Sequence, residues 1–256
     1  MQITKAGDAV RVASEIASTL SRDGLSDRVE AFVAPSFTAL HQVGGAIRGT
    51  KLRLAAQDAC FKPKGAFTGE TSVESLLEAG CTHVILGHSE RRRIFGENDD
   101  VINQKVRLAL DVGLTVVLCI GETAAERAAG RLKEVNESQL AGSLKDVTTD
   151  QLGSVVVAYE PVWAINNPYL NPGVEIKTAT PEEAQGAHRL VRDWLVATYG
   201  EAGGRVPIQY GGSMKPENAA QLLRLPDVDG GLVGSASLDP NSFVAILRAA
   251  EEAAKQ

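Results

Sequence analysis

Short apolar runs alternate with amphipathic helical stretches along nearly the whole chain, and this alternation limits the possible folds more than any other feature. Runs that suit strands fall at Val29–Pro35, Leu52–Asp58, Thr82–Gly87, Thr115–Ile120, Ser154–Tyr159, Val206–Tyr210 and Val228–Gly234. Helical patterns lie between them, at Ser36–Arg48, Ser72–Ala79, Val101–Val112, Ala124–Leu144, Pro181–Tyr199 and Pro216–Leu225. Ala6–Leu20 reads as a further helix ahead of the first run, and Asn241–Ala254 closes the chain as another. Pro181 and Pro216 sit where a first helical turn accepts proline. Repeated strand–helix–strand units predict a parallel sheet with right-handed crossovers. No long linker or low-complexity stretch interrupts them, so residues 1–256 are expected to form one domain.

A chain of 256 residues has the usual length of one α/β barrel. The strand count is seven, however, and Met1–Lys5 is too short and polar to add a buried eighth. An open doubly wound sheet accommodates seven strands as well, so the count leaves both architectures standing. Composition narrows the class further. A formal net charge of −6 gives no hint of nucleic-acid binding. No apolar run approaches the roughly 18 residues of a membrane span, and no signal peptide opens the chain. Cys60, Cys81 and Cys119 lack C-x-x-C spacing, which argues against a disulfide framework or a zinc site. The expectation is a soluble, cytoplasmic protein with no nucleic-acid or membrane partner.

The loops after the strand ends separate the two architectures, because barrel active sites are built there. Glu160 follows the apolar run Ser154–Tyr159 and is enclosed by Pro161 and Trp163. An ionised carboxylate is costly to desolvate unless paired, so its place suits either a catalytic base or a rim carboxylate that caps a helix or pairs with an arginine. His88 follows the run Thr82–Leu86 at the start of a turn, as a hydrogen-bonded rim residue or as a neutral donor. Gly211-Gly212-Ser213 and Gly234-Ser235 end the last two runs, where backbone N–H groups can approach an anion. Base, neutral imidazole and phosphate grip together describe proton transfer beside a carbonyl on a small phosphorylated sugar.

Several stretches then become specific: LGHSERR with FGE (Leu86–Arg92, Phe95–Glu97), CIGE (Cys119–Glu122), AYEPVWAI (Ala158–Ile165), TATPEEAQ (Thr178–Gln185), YGGS (Tyr210–Ser213) and LVGSASL (Leu232–Leu238). In this order, and with GAFTGE (Gly65–Glu70) upstream, the chain resembles the triosephosphate isomerase family. The resemblance implies a (β/α)8 TIM barrel that interconverts dihydroxyacetone phosphate and glyceraldehyde 3-phosphate without cofactor or metal. It implies Glu160 as the base, His88 as the group that polarises the carbonyl, and Glu97 as a buried partner near them. Ser213, Gly234 and Ser235 would give backbone N–H groups to the phosphate. Thr68, at the tip of Gly65–Glu70, would reach into the neighbouring subunit of a homodimer.

Three departures from the family pattern stand out. The family's first strand ends in Asn-x-Lys-Met, and Met1-Gln2 aligns just after that lysine. Either the start lies upstream of Met1, or the chain is a shortened paralogue that binds or assembles without catalysis. Preorganised charge is usually the largest catalytic term, with one lost donor costing roughly 3–4 kcal/mol, so the chain as it stands is expected to have little activity. The second departure is the lid. Its hinges are present as Pro161-Val162-Trp163 and Lys177-Thr178-Ala179, but Asn166–Ile176 puts eleven residues where the family has a Gly-Thr-Gly tip. Gly173 is the one glycine in it and the best candidate for a phosphate contact. Such a tip is expected to be mobile without ligand, and either to slow closure or to suit another phosphosugar, such as a four-carbon ketose phosphate. Ser235, in place of a glycine, keeps a backbone donor unless the site needs positive φ.

Overall fold

The computed structural model describes residues 5–173 and 178–255. Among the described residues, seven strands make one sheet: β1 (Phe32–Val33), β2 (Arg53–Ala56), β3 (His83–Leu86), β4 (Thr115–Ile120), β5 (Val155–Tyr159), β6 (Ile208–Tyr210) and β7 (Gly230–Gly231). Neighbours in sequence are neighbours in the sheet, and every pairing is parallel. The helices are α1 (Ala6–Arg22), α2 (Leu40–Ala46), α3 (Val73–Glu78), α4 (Ser89–Arg93), α5 (Asp99–Asp111), α6 (Ala124–Ala128), α7 (Leu132–Ser143), α8 (Pro181–Tyr199), α9 (Glu201–Gly204), α10 (Pro216–Leu223) and α11 (Pro240–Ala253). Helix α1 packs against both α2 and α11, so the first and last units meet around it. A sheet in simple sequential order, curled until its flanking helices touch, is an α/β barrel rather than a doubly wound sheet.

Side chains alternate across each strand and divide the core in two. Leu54, Val84, Leu86, Val116, Leu118 and Val157 face the helices and join the larger cluster. Ala34, Ala55, Ile85, Val117, Cys119 and Ala158 face one another across the barrel interior. All three cysteines are free and buried. Burial pushes the Cys81 thiol up to about 12, as for an inert apolar side chain.

The elements match the sequence reading with local differences. Strands β1 and β7 are shorter than Val29–Pro35 and Val228–Gly234; they stand at the two ends of the strand order, and among the described residues each has a single ladder partner. The expected helix Ala124–Leu144 is two helices, α6 and α7, parted at Gly130, whose φ of +71° favours glycine. Helix α8 begins at Pro181 as expected, fixed by a reciprocal cap: Glu183 N–H donates to the Thr180 hydroxyl at 3.2 Å, and Thr180 N–H to Glu183 Oε2 at 2.9 Å. Helix α4 has no apolar periodicity in Ser89–Arg93 and went unforeseen. The expectation for Met1–Lys5 falls mostly outside the described residues, as do Val174–Ile176 of the lid tip and Lys177 of its second hinge. Among the described residues, no helix is long and apolar enough to cross a membrane.

Candidate active site

Glu160 directly follows β5 and is only 1% exposed. The ladders continue through it: Glu160 N–H donates to Ile120 O at 2.7 Å, and Gly211 N–H donates to Tyr159 O at 2.7 Å. Glycine at Gly121 and Gly211, the neighbouring strand ends, is what lets this carboxylate fit. A Cβ at Gly211 would stand 2.8 Å from Glu160 Cγ, and one at Gly121 would collide with the Glu160 carbonyl. Two glycines of the CIGE and YGGS motifs therefore make room for the acid, whatever they also offer to an anion.

The acid is fully paired. Ser89 N–H donates to Glu160 Oε2 at 2.8 Å, Ser89 Oγ donates to Oε1 at 3.0 Å, and His88 Nε2 lies 3.1 Å from Oε1. His88 caps α4, and Glu90 N–H donates to its Nδ1 at 3.4 Å. With Nδ1 turned to the Glu90 N–H, Nε2 is the ring nitrogen directed at Glu160. Arg92 braces this corner from behind: its Nε donates to Gly87 O at 2.7 Å and its Nη2 to Cys119 O at 3.1 Å, joining the ends of β3 and β4.

The lid root is anchored on a second buried acid, Glu122, which is fully shielded from solvent. Its carboxylate accepts from Trp163 Nε1 at 2.9 Å, Tyr159 Oη at 3.0 Å, Asn136 Nδ2 at 3.1 Å and Arg127 Nη1 at 3.4 Å. The Arg127 guanidinium also lies over the Trp163 ring, 4.3 Å from its centroid. The first hinge forms a short 3-10 turn at Val162–Ala164. The described part of the tip is held more firmly than its composition suggests, because Asn171 is buried and donates to Val162 O at 2.8 Å and Ile165 O at 2.9 Å. Gly173 has φ +69° and stands exposed with open space where a side chain would go.

Ser213 and Gly234 leave the same edge of the barrel, since Tyr210 of β6 pairs with Gly231 of β7 and Leu232 N–H donates to Tyr210 O at 3.0 Å. Ser235 opens a 3-10 turn, Ser235–Leu238. Among described non-glycine residues only Asp146 has positive φ, so Ser235 replaces a glycine without backbone strain. The loop Gly65–Glu70, including Thr68, is largely exposed.

Glu97 lies in a different group. It accepts from Arg91 Nε at 2.6 Å and Lys105 Nζ at 2.5 Å, and both cations also reach Asp58, at 2.8 Å each. Burial pushes the Asp58 carboxyl up, against the pull of Lys105. The residues beside His88 that the sequence reading passed over are Ser89 and Glu90. Both lie inside the GHSERR stretch, and a serine opening a helix next to a candidate imidazole was the available signal. Glu122 was quoted only as part of CIGE, because its partners come from α6, α7 and the stretch Tyr159–Trp163. Among the described residues, no three His, Cys, Asp or Glu side chains are grouped to hold a metal ion.

A family profile described as triosephosphate isomerase matches residues 1–250. The chain is 49% identical over 239 residues to the triosephosphate isomerase of Symbiobacterium thermophilum, covering 93% of this chain and 90% of that one. It is 47% identical over 246 residues to the triosephosphate isomerase of Prosthecochloris aestuarii, covering 96% and 93%. The crystal structure of triosephosphate isomerase from Bartonella henselae superposes with a TM-score of 0.85 at 33% identity, covering 96% of this chain and 94% of that one. Matched in sequence over nearly its whole length and in the architecture of its barrel, the chain belongs to the triosephosphate isomerase family.

Proposed function

We propose that this chain interconverts dihydroxyacetone phosphate and glyceraldehyde 3-phosphate through an enediolate, in the cytoplasm, as a step of glycolysis and gluconeogenesis. The observation that carries the reading is the 3.1 Å contact between Glu160 Oε1 and His88 Nε2 at the C-terminal edge of the barrel. Glu160 takes a proton from the carbon beside the carbonyl. His88 donates from Nε2 to the carbonyl oxygen as charge develops there. The proton returns to the neighbouring carbon, and ketose becomes aldose. Backbone N–H groups of Ser213, Gly234 and Ser235 hold the phosphate, with Gly173 a further donor from the lid. Relatives matched over nine-tenths of their length carry the name triosephosphate isomerase, which supports this reading over a four-carbon sugar or a non-catalytic scaffold.

A homodimer through Gly65–Glu70, with Thr68 entering the partner's pocket, is part of the same reading. Phe95 and Ile94 support it as exposed apolar side chains, 66% and 45% accessible. Arg91 lies under the Phe95 ring at 5.0 Å while also pairing with Asp58, a few residues ahead of the loop. The activity is tested by a coupled assay on both triose phosphates, with solvent deuterium incorporation into recovered substrate. Absence of both turnover and exchange, in this chain and again once a family-like first strand with its Asn and Lys is placed ahead of Met1, would overturn it. Sedimentation equilibrium tests the dimer.

A further inference from the structure

Residues 165–171 of the enlarged lid fold into a compact turn beside the hinge. Asn167 N–H donates to Ile165 O at 2.9 Å, while Asn167 O accepts from Leu170 N–H at 3.1 Å and Asn171 N–H at 2.9 Å. Asn167 Oδ1 accepts from Tyr169 N–H at 2.9 Å. The two bonds from Asn171 to Val162 and Ile165 carbonyls make the turn and the hinge root one body. From that body Asn167 Nδ2 reaches across to α4 and donates to Glu90 Oε1 at 2.7 Å. The other oxygen of Glu90 stands 3.7 Å from His88 Nδ1.

The site is at rest in this arrangement. At 3.1 Å, His88 and Glu160 bond to each other, and no substrate carbon or carbonyl fits between them. Glu160 has to leave Ser89 before it can act as a base. It is joined to the hinge through Pro161, and the hinge to the turn through Asn171.

We propose that Asn167 is a positioning residue whose bond to Glu90 latches the enlarged lid in its resting place, and so sets how readily substrate draws Glu160 into action. A swing of Glu160 turns the hinge, carries residues 165–171 with it and breaks the Asn167–Glu90 bond. The free energy of that bond is then a barrier that substrate binding has to overcome. The bond is charge-assisted, but the Glu90 side chain is 40% exposed and solvent weakens it, so the effect on ligand affinity is about three- to tenfold. The proposal deepens the isomerase reading and rests on it for the kinetic part alone.

Two variants separate the latch from the fold of the turn. Asn167→Asp keeps the size of the side chain and the oxygen that holds Tyr169 N–H, but it has no donor and sets two carboxylates face to face. Asn167→Ala removes both functions. Calorimetry with 2-phosphoglycolate, which carries a phosphate and the charge of an enediolate, is expected to show both variants binding about three- to tenfold more tightly than the parent chain, Asp at least as much as Ala. KM for triose phosphate falls by a similar factor, while kcat stays within about twofold. Hydrogen exchange over residues 162–171 speeds up in the unliganded variants and matches the parent once 2-phosphoglycolate is bound. Unchanged or weaker binding of 2-phosphoglycolate by Asn167→Asp overturns the latch, as does a parent chain that does not bind it at all. Tighter binding by the variants, with no turnover even after a family-like first strand is placed ahead of Met1, keeps the latch and removes the isomerase reading instead.

Discussion

Ser89 gives both of its donors to one side chain: its N–H meets Glu160 Oε2 at 2.8 Å and its hydroxyl meets Oε1 at 3.0 Å. A buried carboxylate held by a backbone amide, a hydroxyl and an imidazole stays parked until something displaces it. Replacing Ser89 by Ala removes the hydroxyl bond and keeps the amide. The unliganded chain is expected to lose about 1–2 kcal/mol of stability, read from its urea midpoint. No change in the midpoint would mean that Glu160 does not rest on Ser89 in solution.

Glu160→Gln is expected to cut solvent deuterium incorporation into triose phosphate by at least about a thousandfold, since an amide is no base. Binding of glycerol 3-phosphate, which offers the phosphate without a carbonyl, should stay within about threefold of the parent by calorimetry, because separate loops hold the phosphate. Retained exchange would remove Glu160 from the base role.

Glu97 is expected to act on stability more than on chemistry. It shares Lys105 and Arg91 with Asp58 in a buried ion group, and its Oε2 has no partner among the described residues. Lys105→Met leaves two buried carboxylates on one arginine and should cost about 3–5 kcal/mol. Glu97→Gln should lower the melting temperature while proton exchange stays within about tenfold of the parent, as expected of a residue outside direct reach of the substrate. A thousandfold loss of exchange at unchanged stability would instead put Glu97 in the catalytic group.

Stability should fall on mild acidification through His188. The ring is fully buried between Tyr159 and Tyr210, with Nδ1 3.0 Å from Asp227 O and Nε2 without a partner among the described residues. Burial pushes its pKa down from 6.5 to about 4. Between these values the unfolded chain binds a proton that the folded chain refuses. The contribution is therefore complete above pH 6.5 and is lost as pH falls toward 4, amounting to roughly 3 kcal/mol. His188→Gln should flatten the dependence of the urea midpoint on pH across that window, and an unchanged slope would remove His188 as its source.

The barrel was legible in the sequence because each strand is a short apolar run and each long helix is amphipathic or capped, as at Thr180–Glu183. The elements that escaped notice are those without periodicity, chiefly α4, whose first residue holds Glu160. Glu160 and His88 stood out by their place after strands. Ser89 and Glu90 did not, because their importance comes from a loop 71 and 77 residues further along. The same limit applies to the lid. Its flanking hinges and few apolar residues suggested mobility, but the amides of Asn167 and Asn171 tie its first half to α4 and to the hinge.

Glu122 fixes the root of the lid from four directions, through Trp163, Tyr159, Asn136 and Arg127. Beyond that socket, exchange of the tip is expected to leave Glu160 in place. A change in its length is expected to leave the strand that leads to Glu160 unaltered. Natural variation can then rework closure while the proton-transfer machinery is inherited intact, and tips grafted between relatives at Ile165 and Thr178 should leave the chemistry of Glu160 with its host.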